Sequence, residues 1–182
     1  MPIHRTIPNL SLIPDVTGVI GMYAHGIEPV HHVAYLYNYA GQPWKTQARV
    51  RQVAGLLYTN TPGGICGNDD CGQMSAWYVF AAMGFYPVDP TSGIYVLGSP
   101  LLDRVTLRLN PKFAKGRAFT VIAKNNSGQN PYIQLATLNG RTLTRSWITH
   151  EEITAGGRLV LTMGPTPNKT FGSAPESRPP GI

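Results

Sequence analysis

The segment 67–77, Gly-Asn-Asp-Asp-Cys-Gly-Gln-Met-Ser-Ala-Trp, places two carboxylates, Asp69 and Asp70, where a helix is predicted to begin. Residues 75–83 contain no helix breaker, and Gly84 then ends the run. The N-terminus of a helix exposes unpaired N–H groups and the positive end of its dipole, which favour the ionised form of a nearby Asp. A fixed, charged carboxylate suits a general base that removes a proton from water.

The same two aspartates also have a purely structural interpretation, because Asp is among the residues preferred at helix N-caps. Spacing alone favours capping over catalysis. Gln73, three residues after Asp70, could hydrogen-bond either a substrate or the backbone. The residues therefore give a candidate base at Asp69 or Asp70 and leave capping as the alternative.

A second polar segment lies upstream at 26–46 and contains Glu28, Pro29 and two adjacent histidines. The Glu28 carboxylate could accept hydrogen bonds from a ligand, or it could complement the dipole of a helix that Pro29 starts. His31 and His32 are neighbours in a predicted helix, so their side chains point in different directions and do not easily line one site. Packing or surface exposure is a more common role for such histidines than ligation.

Helices predicted in the first half of the chain would position both polar segments. Pro29 and Gly41 bound a first helix, and a second begins at 42–44. A Thr-Pro-Gly-Gly break at 61–64 separates the second helix from the acidic segment. The apolar residues of the second helix recur at helical spacing and indicate a stripe that faces the core: Val50, Val53, Ala54 and Leu57.

Beyond Pro90 the hydrophobic period shortens to two, which is typical of strands. Strands are predicted at 94–97, 105–109, 119–123, 132–138, 141–147 and 158–163. Asn139-Gly140 is a strong hairpin signal, and residues 149–152 could form one capped helical turn. Helices followed by strands predict an α+β fold. The predicted parts are a helical region at 1–92, a β-rich region at 93–172 and a disordered tail at 173–182.

The composition limits the classes of partner. The 182 residues carry 15 Lys and Arg against 9 Asp and Glu, a formal net charge of +6. These cations are spread over strand-like segments without a nucleic-acid motif, so we interpret them as a solvated surface and expect no nucleic-acid partner. No apolar run is long enough to span a bilayer, and no signal-peptide pattern follows Met1. Cys66 and Cys71 lack the spacing of a zinc site, and their redox state is left open.

The segment 67–77, continued through 84–88, resembles a motif of glycoside hydrolase family 92, and the segment 26–46 resembles the sugar-binding stretch of the same family. The two matches occur in the family's order, and the resemblance extends from about Leu12 to about Gly172. Members are calcium-dependent, inverting α-mannosidases with an N-terminal β-sandwich and an (α/α)6 barrel. The resemblance implies that this chain is a C-terminal fragment, with the final barrel helices followed by a small antiparallel β subdomain.

The resemblance also implies roles for individual residues. Asp70 matches the catalytic base, and Asn68 stands at the assisting position, where an amide cannot accept a proton. Glu28 matches a residue that contacts mannose hydroxyls. Ile27 stands where members similar to α-1,2-mannosidases carry His, so the linkage preference is left open. The expected substrate-binding residues are Glu28, Ile27, Asp69 and Gln73.

An inverting glycosidase needs a general acid about 6.5 to 9.5 Å from its base. The acid of the family is a Glu in an earlier phrase that this sequence does not contain, so the isolated chain is expected to be inactive or nearly so. An N-terminal half carrying that acid would be its missing partner. The other carboxylates do not replace the acid convincingly: Asp15, Asp89, Asp103, Glu151, Glu152 and Glu176.

Calcium is the cofactor that the resemblance implies, since oxygen-rich ligation suits this cation. Asn68 and Asp70 supply oxygens, but the sequence identifies no complete set of metal ligands. The expected partners are α-mannosides of N-glycans or mannans. Family members are often secreted or periplasmic, which leaves the compartment of this chain open. The alternatives are a non-catalytic carbohydrate-binding or interaction module that keeps Glu28, and a structural remnant with exposed apolar helices.

Overall fold

The structure is a computed structural model that describes residues 16–181. Its α-helices are α1 (Leu36–Tyr39), α2 (Pro43–Leu57), α3 (Gln73–Met83) and α4 (His150–Thr154). Short 3-10 helices occur at Glu28–Val30, Val33–Tyr35 and Pro175–Ser177. The strands are β1 (Val19–Ile20), β2 (Tyr23–Ala24), β3 (Phe85–Tyr86), β4 (Ile94–Leu97), β5 (Arg104–Arg108), β6 (Ala118–Lys124), β7 (Tyr132–Leu138), β8 (Arg141–Thr142), β9 (Trp147–Thr149) and β10 (Gly157–Gly164).

The strands form three sheets. Strands β1 and β2 make an antiparallel pair, β3-β4-β9 make a three-stranded sheet, and the five-stranded sheet has the order β5-β6-β10-β7-β8. All neighbours are antiparallel except β6 and β10, which run parallel. The predicted α+β class is therefore confirmed. The predicted antiparallel arrangement of the β region is wrong for β6 and β10, which are parallel. Strand β10 inserts between β6 and β7 antiparallel to β7, which leaves it parallel to β6.

The helix that carries the predicted core stripe forms as expected. Helix α2 has Pro43 in its first turn, and Val50, Val53 and Ala54 are buried. The predicted helix at 29–41 is instead broken into two 3-10 turns and the four-residue α1. Gly41 ends this region with a positive φ of 69°. Pro29 and Gly41 therefore predicted the ends of this helical segment, but no local pattern predicted the breaks within it.

Two hydrophobic clusters make up the core of the part of the chain that the structure describes. One surrounds Trp77 and Val50 between the helices, and the other surrounds Phe119 and Leu159 beneath the five-stranded sheet. Phe80 of α3 packs against both clusters. The predicted division at residue 92 lies between β3 and β4, which pair in one sheet. The sheet thus joins the two predicted parts, and the division itself stays a prediction.

The predicted hairpin forms where expected, with Asn139 at φ 52° and Gly140 at φ 82° between β7 and β8. The predicted strand at 141–147 is wrong, because β8 ends at Thr142 and Trp147 opens β9 in the other sheet. The buried backbone N–H of Ser146, at this crossing, donates to the Ser177 carbonyl at 2.9 Å. A long-range hydrogen bond therefore lies where the chain passes from one sheet to the other.

The predicted disordered tail at 173–182 is wrong for residues 173–181. Ser177 is buried, and the Arg178 Nε donates to the Ser173 carbonyl at 3.0 Å. This segment closes over the crossing between the two sheets, which its Pro, Gly and Ser content did not indicate. Across residues 16–181, no helix has the length and apolar character needed to cross a membrane.

Candidate functional site

The turn that carries Asp70 has unusual backbone geometry. Asp70, Cys71 and Gly72 have consecutive positive φ angles of 48°, 57° and 97°. A left-handed conformation costs a residue with a Cβ about 1 to 2 kcal/mol, and Asp tolerates it better than most. The turn holds Asp70 half-buried just before α3. Backbone strain of this kind clusters at functional sites, so the turn supports a functional role for Asp70.

Asp69, by contrast, supports the start of α3. Its Oδ1 accepts hydrogen bonds from the Ser75 backbone N at 2.9 Å and from the Ser75 Oγ at 2.8 Å. The N-cap position itself is Gly72, which offers no side chain. The capping interpretation therefore applies to Asp69, although from a position earlier than a standard N-cap. Substrate contact by Asp69 stays a prediction.

The second segment presents Glu28 at the start of a 3-10 helix. The preceding residue, Ile27, is extended with φ −114° and is half-buried. The Glu28 side chain is exposed, while its carbonyl accepts the His31 backbone N–H at 3.1 Å. Glu28 is thus placed on the surface by a short, locally hydrogen-bonded turn.

His31 brings the two segments together. Its side chain is 1% exposed, its Nε2 donates to the His25 carbonyl at 3.0 Å, and its Nδ1 accepts from the Gln73 Nε2 at 3.1 Å. Burial lowers the pKa of His31, while the negative charges of Glu28 and Asp70 oppose that change. Both carboxylates therefore act electrostatically on the same imidazole. The hydrogen bond between the His31 and Gln73 side chains therefore joins the segment of Glu28 to the segment of Asp70.

A buried polar chain beside His31 was not found by sequence reasoning. The Tyr23 hydroxyl lies 2.7 Å from the His25 Nδ1, and the His25 Nε2 lies 2.7 Å from the Tyr58 hydroxyl. Burial, and secondly the neighbouring titratable imidazole of His31, lowers the pKa of His25 to about 3. The His25 ring also stacks on His31, with 4.5 Å between ring centroids. No local pattern links these residues, since Tyr58 follows His25 by 33 positions.

Three of the remaining predicted acids have structural contacts. The Asp89 carboxylate accepts from Thr91, and Asp103 accepts from Asn126 at 3.2 Å. Glu152 completes a capping box with Thr149 and pairs with Arg145 at 2.5 Å. Asn68, Glu151 and Glu176 are exposed, and Asp15 lies outside the described residues.

The side chains that most often bind metals are not clustered in the described part of the chain. Within residues 16–181, no group of three or more His, Cys, Asp or Glu side chains could hold a metal ion. Asn68 and Asp70 offer oxygens of the kind that calcium prefers, but two side chains do not make a set of six to eight ligands. Cys66 and Cys71 are free thiols.

A cavity of about 750 Å³ is lined in part by Tyr23. It lies between the β1–β2 hairpin, the Val33–Tyr35 turn, α1 and α2, and its wall is mainly apolar. Met22 at its rim is 88% exposed, and Leu36 is also exposed. Neither Glu28 nor Asp70 lines it, so this apolar groove is separate from the polar site.

Comparison with known proteins gave consistent matches. The family model described as the glycosyl hydrolase family 92 catalytic domain matches residues 4–165. A protein of Arthroderma benhamiae, described as an uncharacterized secreted glycosidase, is 34% identical over 157 residues, which cover 86% of this chain and 20% of the relative.

Two solved structures of Bacteroides thetaiotaomicron proteins are also similar. A family 92 α-mannosidase in complex with mannoimidazole is 44% identical, with a TM-score of 0.87, over 92% of this chain and 22% of the relative. A family 92 inverting mannosidase is 50% identical, with a TM-score of 0.80, over 87% of this chain and 21% of the relative. The chain therefore spans about a fifth of the length of these relatives.

Proposed function

Because the chain belongs to glycosyl hydrolase family 92, we propose that it supplies the base side of an inverting exo-α-mannosidase active site. The observation that carries this proposal is the 3.1 Å hydrogen bond between the His31 and Gln73 side chains, which joins the segment of Glu28 to the segment of Asp70. Hydrolysis with inversion needs one carboxylate to activate water and further polar groups to hold the sugar. The two segments provide groups of both kinds.

Asp70 is the proposed base, which accepts a proton from the water that attacks the anomeric carbon. Asn68 cannot share this task, because an amide oxygen does not take up a proton near neutral pH. Glu28, exposed at its 3-10 turn, accepts hydrogen bonds from mannose hydroxyls. Gln73 holds the His31 ring at the floor of the site. The apolar side chain of Ile27 adjoins Glu28 and leaves the linkage preference unassigned.

The general acid is proposed to come from another part of the polypeptide. Of the other described carboxylates, Asp69, Asp89 and Glu152 are engaged in caps and turns. The chain covers only about a fifth of its solved relatives, so a larger protein offers many positions for the acid. The proposed substrates of that whole protein are α-mannosides of N-glycans or mannans.

The apolar groove supports a barrel origin for the helices. Helices α1, α2 and α3 are proposed to be the final helices of an (α/α)6 barrel, in which further helices cover the groove. The exposure of Met22 and Leu36 at that surface fits a face that packs against other helices.

Calcium is proposed as the cofactor of the whole protein. The described residues do not complete its coordination, so its other ligands would be oxygens beyond these side chains. Calcium supplies charge that holds vicinal sugar hydroxyls, and no step of the proton transfer at Asp70 is assigned to it. Thermal unfolding of the chain with and without calcium should therefore show only a small shift.

An activated substrate tests the base without the acid. 2,4-Dinitrophenyl α-mannoside has a leaving group that departs without protonation, so the chain should hydrolyse it slowly while leaving α-mannobiose intact. The first product should be β-mannose, visible by proton NMR. Asp70→Asn should abolish this release, whereas the matched variant Asp69→Asn keeps a carbonyl acceptor for Ser75 and should retain it. Equal rates for the two variants, or release of α-mannose first, would refute the assignment of Asp70.

A carbohydrate-binding module is the second candidate, and the structural roles of the other described acids favour it. Such a module would bind mannose through Glu28 and hydrolyse neither substrate. Calorimetry with mannose or mannobiose, comparing the chain with Asp70→Asn, separates the two: unchanged binding in the variant together with no hydrolysis supports the module.

A further inference from the structure

A series of hydrogen bonds joins the two segments that carry Glu28 and Asp70. The His31 backbone N–H donates to the Glu28 carbonyl at 3.1 Å, and the Gln73 backbone N–H donates to the Asp70 carbonyl at 3.2 Å. The side chains of His31 and Gln73 then bond to each other at 3.1 Å. Glu28 is therefore bonded to His31, and Asp70 is bonded to Gln73, in each case three positions further along the chain.

Two more buried bridges reinforce the connection. The Tyr58 hydroxyl, which contacts His25, donates to the Met74 carbonyl at 3.1 Å. The Trp77 Nε1 donates to the His31 carbonyl at 3.1 Å. Trp77 and His25 are fully buried, so these bonds form in a region of low polarity where an unmade bond costs about 1 to 3 kcal/mol.

The partners determine where the ring protons lie. A carbonyl only accepts, so the His31 Nε2 that contacts the His25 carbonyl carries a hydrogen and the Nδ1 is an acceptor. The Gln73 Nε2 donates one hydrogen to the His31 Nδ1 and the other to the Tyr86 hydroxyl oxygen. A second proton on His31 would face the Gln73 amide donor and break the bridge.

His25 is fixed by the same reasoning. The hydrogen of the Tyr58 hydroxyl is used on the Met74 carbonyl, so its oxygen accepts from the His25 Nε2. Because burial lowers the pKa of His25, the ring carries this one hydrogen, and its Nδ1 accepts from the Tyr23 hydroxyl. Both imidazoles are neutral, and both carry hydrogen on Nε2.

We propose that His31 and Gln73 are positioning residues that hold Glu28 and Asp70 at a fixed separation before a sugar arrives. The pair does not touch the reacting atoms. Its effect is preorganisation, because a site held by packed and hydrogen-bonded supports loses less freedom when the ligand binds. This role deepens the proposed function and rests on it for its catalytic meaning, but the mechanical coupling is measurable without any substrate.

Hydrogen exchange measured by NMR on the complete chain tests the coupling. Gln73→Leu should accelerate exchange of the His31 amide about tenfold, because one buried hydrogen bond contributes about 1 to 1.5 kcal/mol to closing the local structure. The Val121 amide in β6 should be unchanged. Gln52→Leu, on the surface of α2, is the matched control and should alter neither amide. Acceleration confined to residues 72–74, or equal acceleration at Val121, would overturn the proposal.

A measurement without any variant guards against misfolding of Gln73→Leu. Nitrogen-15 spectra of the imidazoles should show His31 as the neutral tautomer with hydrogen on Nε2 from pH 6 to pH 8, and an Nδ1–H tautomer would overturn the proposal. In the hydrolysis assay, Gln73→Leu should reduce kcat more than it changes KM. Intact coupling without Asp70-dependent hydrolysis would refute the proposed function alone, whereas absent coupling would refute the positioning role alone.

Discussion

Acid should destabilise this fold through His25 before most carboxylates titrate. The ring is fully buried between two tyrosine hydroxyls, and burial lowers its pKa from 6.5 to about 3. In the unfolded chain the imidazole regains its ordinary value and binds a proton near pH 6.5. The unfolded state therefore binds more protons than the native state below that pH. Stability from His25 is complete above about pH 7 and is lost as the pH falls toward 3.

The size of the effect follows from the two pKa values. At pH 5 the unfolded state carries nearly one more proton at this position, which gives a slope of ~1.4 kcal/mol per pH unit. Between pH 8 and pH 5 the accumulated loss of unfolding free energy is ~2 kcal/mol. His31, whose pKa is also lowered by burial, acts in the same direction.

Urea unfolding at half-unit steps from pH 8 to pH 4.5 measures this loss, with His25→Asn as the comparison. The variant should be less stable at neutral pH, because it breaks bonds to Tyr23 and Tyr58. The stability of the variant should nevertheless fall less steeply with acid. Near pH 5 the slopes of the two proteins should differ by the equivalent of about one bound proton. A variant with the same pH slope as the wild type would show that His25 is protonated in the native state and would refute the reasoning.

Three further predictions concern stability and are checked by the same urea titrations at pH 7.5. Arg51→Ala should lower the free energy of unfolding by about 2 to 3 kcal/mol, because the half-buried guanidinium donates to the Ser99 Oγ at 2.9 Å and to the Pro100 carbonyl. Arg51→Lys should retain only part of this stability. Cys71→Gly should gain about 0.5 to 1 kcal/mol by relieving φ 57°, whereas Cys71→Val should be destabilised; a loss in both would contradict the strain. Thr149→Ala should lose about 1 kcal/mol with its capping box, and no loss would show that the cap is unimportant.

Local signals predicted local structure well. Gly84 ends α3 with φ 96°, Asn139-Gly140 turns the hairpin, and Thr149 caps α4, each because a short stretch of chain favours one backbone geometry. The parallel pairing of β6 with β10 and the packing of Ser177 depend on residues far apart in sequence. No pattern of neighbouring residues encodes them.

The candidate site shows the same division. Glu28 and Asp70 stand in recognisable phrases, and the structure joins the segments that carry them through the His31–Gln73 hydrogen bond. The bonds that support those phrases run from His25 to Tyr58 and from His31 to Gln73, across 33 and 42 positions. Side chains at such separations meet only after the helices pack, so the sequence indicated the carboxylates but not their support.

Mapping of sugar binding tests the central claim most directly, which is that Glu28 and Asp70 face one mannose. Backbone NMR spectra of the labelled chain are recorded while methyl α-mannoside is added to saturation. The amides of residues 27–31 and 68–73 should shift together along one binding curve, and Glu28→Gln should weaken the response in both segments. Shifts in only one of these segments, or shifts confined to the apolar groove near Met22 and Leu36, would contradict a shared sugar site.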